Sequence, residues 1–144
     1  MFVDLSQKKI VVVGAGKIAA RRVRTLLQFA EHILVISPEF CEEIRTLDKE
    51  QRVECLEKPF EEMDIADADI VLAATNRREV NSRVVSYCKE HHIPVNTADQ
   101  KSECDFYFPS VICKENIVIG IGSGGTSPGK VRSVREEIEK AING

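Results

Sequence analysis

Short apolar runs alternate with amphipathic segments along the first two thirds of this 144-residue chain. The runs are rich in Val, Ile and Leu, which is typical of parallel strands buried on both faces. The segments between them repeat apolar residues every three or four positions, as one face of a helix does. Strands are predicted at 10–13, 32–37, 53–56, 68–75 and 94–98, and helices after Gly16, at 39–49 and at 78–91. This alternation predicts an α/β fold with a Rossmann-like, doubly wound parallel sheet.

The pattern changes after Asp99. Two strand-like runs, 106–113 and 117–122, are separated by three polar residues and predict an antiparallel β-hairpin. A glycine-rich turn follows, and then an amphipathic helix with Ser127 as the expected N-cap and Pro128 as its first residue. A hairpin and a single helix cannot enclose a core, so we expect them to pack on the sheet or on another subunit. The predicted domains are therefore 1–99 and 100–144.

Composition and charge exclude several classes of protein. A net charge of −3 provides no basic excess for binding nucleic acid. No apolar run approaches the roughly 20 residues that span a bilayer, and the charged N-terminus lacks the apolar centre of a signal peptide. A cytoplasmic protein without membrane association is therefore expected. The five cysteines are odd in number and form no CxxC pair, which favours reduced thiols, and no metal site is predicted.

The first strand ends in a glycine-rich turn, Gly14-Ala-Gly16-Lys-Ile-Ala19. Gly14 can adopt backbone angles that a side chain forbids, and Gly16 leaves room for a diphosphate to approach the main chain. Amides at the start of the following helix, including those of Lys17 and Ile18, would then bind the phosphates of a dinucleotide. A strand-to-helix turn without any ligand is the structural alternative.

The end of the second strand indicates which dinucleotide would bind. Many Rossmann domains have an acidic residue there for the ribose hydroxyls, whereas this chain has Ser37, Pro38 and Glu39. Glu39 would repel the extra phosphate of NADP, and no Arg follows the strand to attract it, so NAD is favoured. An ordinary carboxylate in the first turn of the next helix is the other interpretation of Glu39. Thr75, at the end of the fourth strand, is a further candidate cofactor residue.

Several of these segments, together with others further along the chain, carry a family resemblance. They are Gly14-Ala-Gly16-Lys-Ile-Ala19, Ser37-Pro-Glu39, Ala73-Ala-Thr-Asn76, Val95-Asn-Thr-Ala-Asp99, Phe106-Tyr-Phe-Pro-Ser110 and Gly122-Ser-Gly-Gly-Thr-Ser-Pro128. In this order, over nearly the whole chain, they resemble the precorrin-2 dehydrogenase/sirohydrochlorin ferrochelatase family, which also forms the N-terminal part of siroheme synthases. The pairing of the Asn-x-x-Asp strand end with the later Ser-Gly-Gly-x-Ser-Pro turn is the most specific part of the resemblance.

The resemblance implies NAD-dependent removal of two hydrogens from precorrin-2 to give sirohydrochlorin. In many members the same pocket then inserts ferrous iron, here a substrate, to give siroheme. Members form homodimers through the segment that matches 100–144. Because they usually continue with more helices after that segment, the resemblance implies dehydrogenation more firmly than iron insertion.

The resemblance also assigns site residues. Asp99 matches the essential aspartate and is the expected base, since a carboxylate in a cleft can accept protons; an Asx turn is its structural alternative. Asn96 belongs to the same motif, and Ser123 matches a serine that lines the pocket and is phosphorylated in some members. Amides of Gly124 and Gly125, with Lys130 nearby, could hold substrate carboxylates, unless they form only a tight turn before a solvated basic helix.

Arg132, close to Lys130, is a further candidate for the substrate carboxylates, and Arg77 and Arg78 after the fourth strand are a weaker second option. The competing class of protein is an NAD(H)-sensing binding module without catalysis. Such a module would be expected to have an acidic residue at position 37 and would not need Asp99 or the second glycine-rich turn. This chain has the reverse pattern, which favours the enzyme.

Overall fold

The computed structural model describes all residues from Met1 to Gly144, in two units, Met1–Asp105 and Phe106–Gly144. The first unit contains a five-stranded, all-parallel sheet with the strand order β3-β2-β1-β4-β5. Its strands are β1 Lys9–Val13, β2 His32–Ser37, β3 Glu54–Glu57, β4 Ile70–Ala73 and β5 Val95–Thr97. The predicted Rossmann-like fold is confirmed. The strand order reverses direction at β1, which places a crevice beside the end of that strand.

Burial follows the position of each strand in the sheet. The apolar residues of β1 are almost completely buried because β2 and β4 flank the strand and helices cover its faces. The edge strand β3 is short and polar, and its Leu56 is 41% exposed. Charged residues on an exposed edge strand disfavour pairing with other chains.

Three helices connect the strands: α1 Lys17–Leu26, α2 Glu42–Lys49 and α3 Arg78–Glu90. The prediction that α2 begins at Glu39 is wrong. The backbone N–H of Cys41 donates to the carbonyl of Ala15 at 2.9 Å, and Cys41 has the extended angles of an N-cap residue. This contact holds residues 38–41 as a loop against the turn after β1, so the helix starts only at Glu42.

The main core lies between the sheet and α3. A 3₁₀ turn at Glu62–Ile65, which the apolar pattern did not predict, replaces a helix between β3 and β4. Ile65 is fully buried in this core and Phe60 is 6% exposed. Burial of one such side chain contributes about 1.5–3 kcal/mol. The turn therefore covers the sheet without a full helix.

The segment after β5 closes the other edge of the sheet. Asp105 accepts a hydrogen bond from the Val95 N–H at 3.0 Å and donates its own N–H to the Val95 carbonyl at 2.8 Å. The Cys104 thiol lies 3.3 Å from the Thr97 nitrogen and 3.2 Å from its carbonyl oxygen. These contacts satisfy the outer backbone groups of an edge strand. They also explain why the first unit extends to Asp105 rather than to 99.

The second unit consists of the antiparallel strands β6 Ser110–Lys114 and β7 Ile117–Ile121 followed by the helix α4 Pro128–Asn143. The predicted hairpin and terminal helix are confirmed. Arg135 donates from Nη1 to the Ser110 hydroxyl at 3.2 Å, and the Lys114 ammonium binds the carbonyl of Ile142. No residue of α4 is buried, and Val134 on its apolar face is 40% exposed. None of the four helices is both long and apolar enough to cross a membrane.

Candidate functional site

The turn after β1 requires glycine at position 14. Gly14 has a φ of +113°, and a Cβ there would lie 2.3 Å from the carbonyl oxygen of Ala74. The Gly14 N–H donates to the carbonyl of Ile36 at 2.8 Å, and the Ala74 N–H donates to that of Val13 at 2.8 Å. The turn is therefore fixed between the ends of β2 and β4, and any side chain at position 14 would push it out of place.

Gly16 lies at the start of α1 and faces open space. It is the N-cap residue, with extended backbone angles, and a Cβ built on it meets no atom within 4 Å. The first turn contains no acidic residue, no side chain caps it, and Lys17 and Ile18 are exposed. Helix geometry leaves the first amides without carbonyl partners. An exposed, electropositive helix start with room above its glycine fits the diphosphate of a dinucleotide.

The end of β2 leads into the loop that precedes α2. The Glu39 N–H donates to the Ser37 hydroxyl over a long 3.4 Å, and the Ser37 carbonyl accepts from the Lys58 N–H at 3.1 Å. Pro38 and Glu39 are exposed. Because α2 begins at Glu42, Glu39 is not a first-turn carboxylate, and that interpretation of it is wrong.

The end of β4 is held by a buried asparagine that the sequence patterns did not single out. Asn81 on α3 is 0% exposed and forms three hydrogen bonds with Thr75. Its Oδ1 accepts from the Thr75 N–H at 3.1 Å and from the hydroxyl at 2.7 Å, while its Nδ2 donates to the Thr75 carbonyl at 3.0 Å. The available signal was its position one helical turn before Val84 and Val85, on the buried face of α3. Asn81 fixes the orientation of the predicted cofactor residue Thr75.

The Asp99 carboxylate lies just beyond the end of β5. Its Oδ1 accepts from the Thr97 hydroxyl at 2.7 Å and from Nη1 of Arg78 at 2.9 Å, and the side chain is 30% exposed. Partial burial raises the pKa of Asp99, but hydrogen bonds from Thr97 and Asn81 and the charge of Arg78 outweigh it. The net pKa lies below its ordinary value, so Asp99 is ionised at neutral pH and can accept a proton.

Asn96 occupies the middle of β5 and is 6% exposed. It pairs in register with Leu72 of β4, and its side chain faces the opposite side of the sheet from Thr97 because residues alternate along a strand. Of the residues predicted for the site, Gly14, Gly16, Lys17, Ile18, Ser37, Pro38, Glu39, Thr75, Asn96 and Asp99 all lie at or next to the carboxyl ends of strands in the first unit.

The remaining predicted residues lie in the second unit, in the turn between β7 and α4. Gly124 and Gly125 have φ angles of +65° and +76°, which a side chain would disfavour. The Ser123 hydroxyl accepts from the Ser127 N–H at 3.0 Å, and the Ser123 carbonyl accepts from the Thr126 hydroxyl at 2.7 Å. Ser127 is the N-cap residue, but its own side chain forms no capping bond. Lys130 is exposed on the first turn of α4.

The sheet order, the Gly14 turn and the open start of α1 define the first unit as a Rossmann-type dinucleotide-binding domain. The chain belongs to the family described as "Putative NAD(P)-binding", whose model matches residues 1–110. The family resemblance predicted from the sequence is confirmed by the relatives that follow.

Curated relatives are similar to almost the whole chain. A siroheme synthase from Buchnera aphidicola is 35% identical over 99% of this chain and 30% of its own length. A multifunctional siroheme biosynthesis protein from Ruminiclostridium josui is 40% identical over 97% of this chain and 27% of its own length. The chain thus spans less than a third of these relatives. Among solved structures, the precorrin-2 dehydrogenase SirC matches with a TM-score of 0.83 and 25% identity, over 98% of this chain and 69% of SirC.

Proposed function

We propose that the protein is an NAD-dependent precorrin-2 dehydrogenase of siroheme biosynthesis, which converts precorrin-2 to sirohydrochlorin. The observation that carries this proposal is the presence of an open helix start after Gly16 and an ionised Asp99 at the carboxyl edge of one parallel sheet. The names of the siroheme relatives and of SirC support it. A binding module would need the first feature but not the second.

Removal of two hydrogens from a carbon framework needs a hydride acceptor and a proton acceptor. NAD, when bound, supplies the hydride acceptor. The residues at Gly16, Lys17 and Ile18 hold its diphosphate through backbone amides, and Ser37, Pro38, Glu39 and Thr75 line the adjoining strand ends. Asp99 accepts the proton at its carboxylate, which is ionised at neutral pH and partly shielded from water. Thr97, Asn81 and Arg78 orient that carboxylate.

The candidate substrate residues are Asn96 within the first unit and, as a separate group within the second unit, Ser123, Gly124, Gly125 and Lys130. Two glycines with positive φ lie beside the start of α4, and Lys130 adds a positive charge. Such groups suit a substrate that is rich in carboxylates. The apolar face of helix α4 is only partly buried, with Val134 40% exposed, which supports a homodimer formed through this unit.

Iron insertion is the second reaction that the same carboxylate can serve. Insertion of ferrous iron into sirohydrochlorin releases the two protons of the macrocycle N–H groups. Asp99, whose side chain is 30% exposed, can accept one proton at a time and pass each to solvent. Ferrous iron is then a substrate. A reaction with added ferrous iron tests this step separately from the dehydrogenation.

The decisive experiment incubates the protein with precorrin-2 and NAD, with and without ferrous iron, and records absorbance spectra over time. We expect sirohydrochlorin to accumulate with NAD alone and siroheme to form when iron is added. Sirohydrochlorin that persists with iron would limit the protein to dehydrogenation. No spectral change, with NAD binding intact, would contradict the proposal and favour a nucleotide-sensing module.

Cofactor selectivity gives an independent prediction. Glu39 is exposed in the loop after β2, where a carboxylate repels the extra phosphate of NADP. We expect NAD to bind more tightly than NADP by roughly tenfold, about 1.4 kcal/mol. Glu39→Arg should reverse the preference, while Glu42→Arg in the first turn of α2 serves as the matched control. Isothermal titration calorimetry measures the affinity of each of the three proteins for both cofactors, and tighter binding of NADP to the original protein would refute the role of Glu39.

A further inference from the structure

Arg78 joins three elements at the end of β5. It is the first residue of α3, and its guanidinium donates from Nη1 to Asp99 Oδ1 at 2.9 Å. Its Nη2 binds Glu103, which ends the 3₁₀ turn Lys101–Glu103. The Arg78 side chain is 46% exposed, whereas the side chains of Asp99 and Glu103 are 30% and 28% exposed. One side chain thus links the start of a helix, the end of a strand and the segment that covers the sheet edge.

The neighbouring arginine shows that this arrangement is specific to Arg78. Arg77 binds Glu79, with its Nε 2.7 Å and its Nη2 2.6 Å from Glu79 Oε1. Arg77 and Glu79 both lie at the start of α3, so this pair connects no other element. An isolated exposed pair of this kind contributes little to stability. Arg78 differs because its planar fork holds two carboxylates from different segments in fixed positions.

We propose that Arg78 is a positioning residue, whose guanidinium holds the Asp99 carboxylate in its working orientation while Glu103 anchors the other arm of the same guanidinium. The contacts of Arg78 with Asp99 and Glu103 do not depend on which reaction the protein catalyses. Its catalytic meaning rests on the proposed function, in which Asp99 accepts a proton. Asp99 Oδ1 is then bound from two directions, by Arg78 and by Thr97, so that the carboxylate cannot rotate freely.

The arrangement also determines the charge around Asp99. The charged groups that face it are Arg78 from α3 and, through the shared guanidinium, Glu103 from the 3₁₀ turn; Thr97 and Asn81 contribute neutral hydrogen bonds. Loss of the Arg78 charge removes a stabiliser of the carboxylate and raises the pKa of Asp99. Loss of the Glu103 charge removes a nearby negative group and lowers it. Opposite shifts from the two partners are the signature of a shared guanidinium.

This signature can be measured without substrate. The carboxyl carbon resonance of Asp99 is followed by NMR against pH in the full chain and assigned by its loss in Asp99→Asn. We expect the pKa of Asp99 to rise in Arg78→Gln and to fall in Glu103→Gln. In Arg78→Lys the pKa of Asp99 should stay close to its value in the original protein, because the positive charge remains. Arg77→Gln, the matched control, should leave the pKa of Asp99 unchanged. An unchanged pKa in Arg78→Gln, or equal shifts from Arg77→Gln, would overturn the proposal.

Kinetics then test the positioning role. We expect Arg78→Gln to lower kcat roughly 10- to 100-fold, the cost of a misplaced catalytic group, with the KM for NAD unchanged. The acidic limb of the kcat profile should move to higher pH, because the base is protonated at a higher pH than before. A lower kcat with no movement of that limb would reduce Arg78 to a structural role. Absence of turnover in the unaltered protein would instead count against the proposed function and leave the NMR result standing.

Discussion

Asp99→Asn is expected to lose roughly 10²- to 10⁴-fold in kcat while it binds NAD as tightly as the original protein. The amide has the shape of the carboxylate and can keep contacts with Thr97 and Arg78, but it cannot accept a proton. Calorimetry measures the affinity for NAD, and the rate of sirohydrochlorin formation measures kcat. Asp99→Ala should behave in the same way with respect to NAD.

The same experiment includes a control at the amino ends of the strands, opposite the carboxyl ends where Asp99 lies. Asp67 precedes β4, is 71% exposed and pairs with Lys9 at 2.6 Å at the start of β1. Asp67→Asn should therefore leave kcat unchanged. If Asp99→Asn retains full turnover, Asp99 is not the proton acceptor, and the Asx-turn interpretation takes its place. If the rate falls together with NAD affinity, the carboxylate serves the cofactor site instead.

The pH dependence of the original enzyme follows from the state of Asp99. Because its pKa is lowered in the folded protein, the carboxylate persists below the pH at which an ordinary aspartate becomes protonated. Activity should then decline only as the pH falls through this lowered pKa. The direction of this pKa shift is opposite to that in enzymes that use a buried, protonated carboxyl as a general acid.

Substitutions at the two glycines of the first turn should have opposite consequences. Gly14→Ala is expected to lower the free energy of unfolding by roughly 2–4 kcal/mol, since the residue has positive φ and its Cβ would meet the Ala74 carbonyl at 2.3 Å. Gly16→Ala should cost only about 0.5 kcal/mol, because its φ is negative and its Cβ faces open space. Urea denaturation of both variants measures this difference.

Gly16→Ala, the variant expected to stay stable, should lose affinity for NAD. In Gly16→Ala the protein remains folded, but the new methyl group occupies the space through which the diphosphate approaches the amides. We expect NAD affinity to fall roughly tenfold or more, which corresponds to about 1.4 kcal/mol. An unchanged affinity would show that no dinucleotide binds over Gly16. A Gly14→Ala protein as stable as the original would contradict the geometry of the turn.

Much of the site was predictable because its requirements are local. The positive φ at Gly14 follows from a strand that turns sharply into a helix, and a side chain is excluded there whatever packs around it. Asp99 was identified through its motif, which is a contiguous stretch of chain. The predicted start of α2 and the placing of Glu39 in its first turn were wrong. A single long-range hydrogen bond, from the Cys41 N–H to the Ala15 carbonyl, holds residues 38–41 as a loop, so the helix begins only at Glu42. No pattern within residues 38–49 contains that information.

The amino-acid sequence by itself determined the parallel sheet, the glycine turn after β1 and the identity of the carboxylate at the end of β5. Apolar runs and glycine positions act through local sterics and burial, which are readable from neighbours along the chain. Only the tertiary structure decided what surrounds that carboxylate. Arg78 and Glu103 lie 21 residues before and four residues after Asp99, and they meet only because α3 and the edge segment fold back against β5. Arg78 is distant from Asp99 in sequence and becomes its neighbour only through packing, so the environment of the base is a property of the fold.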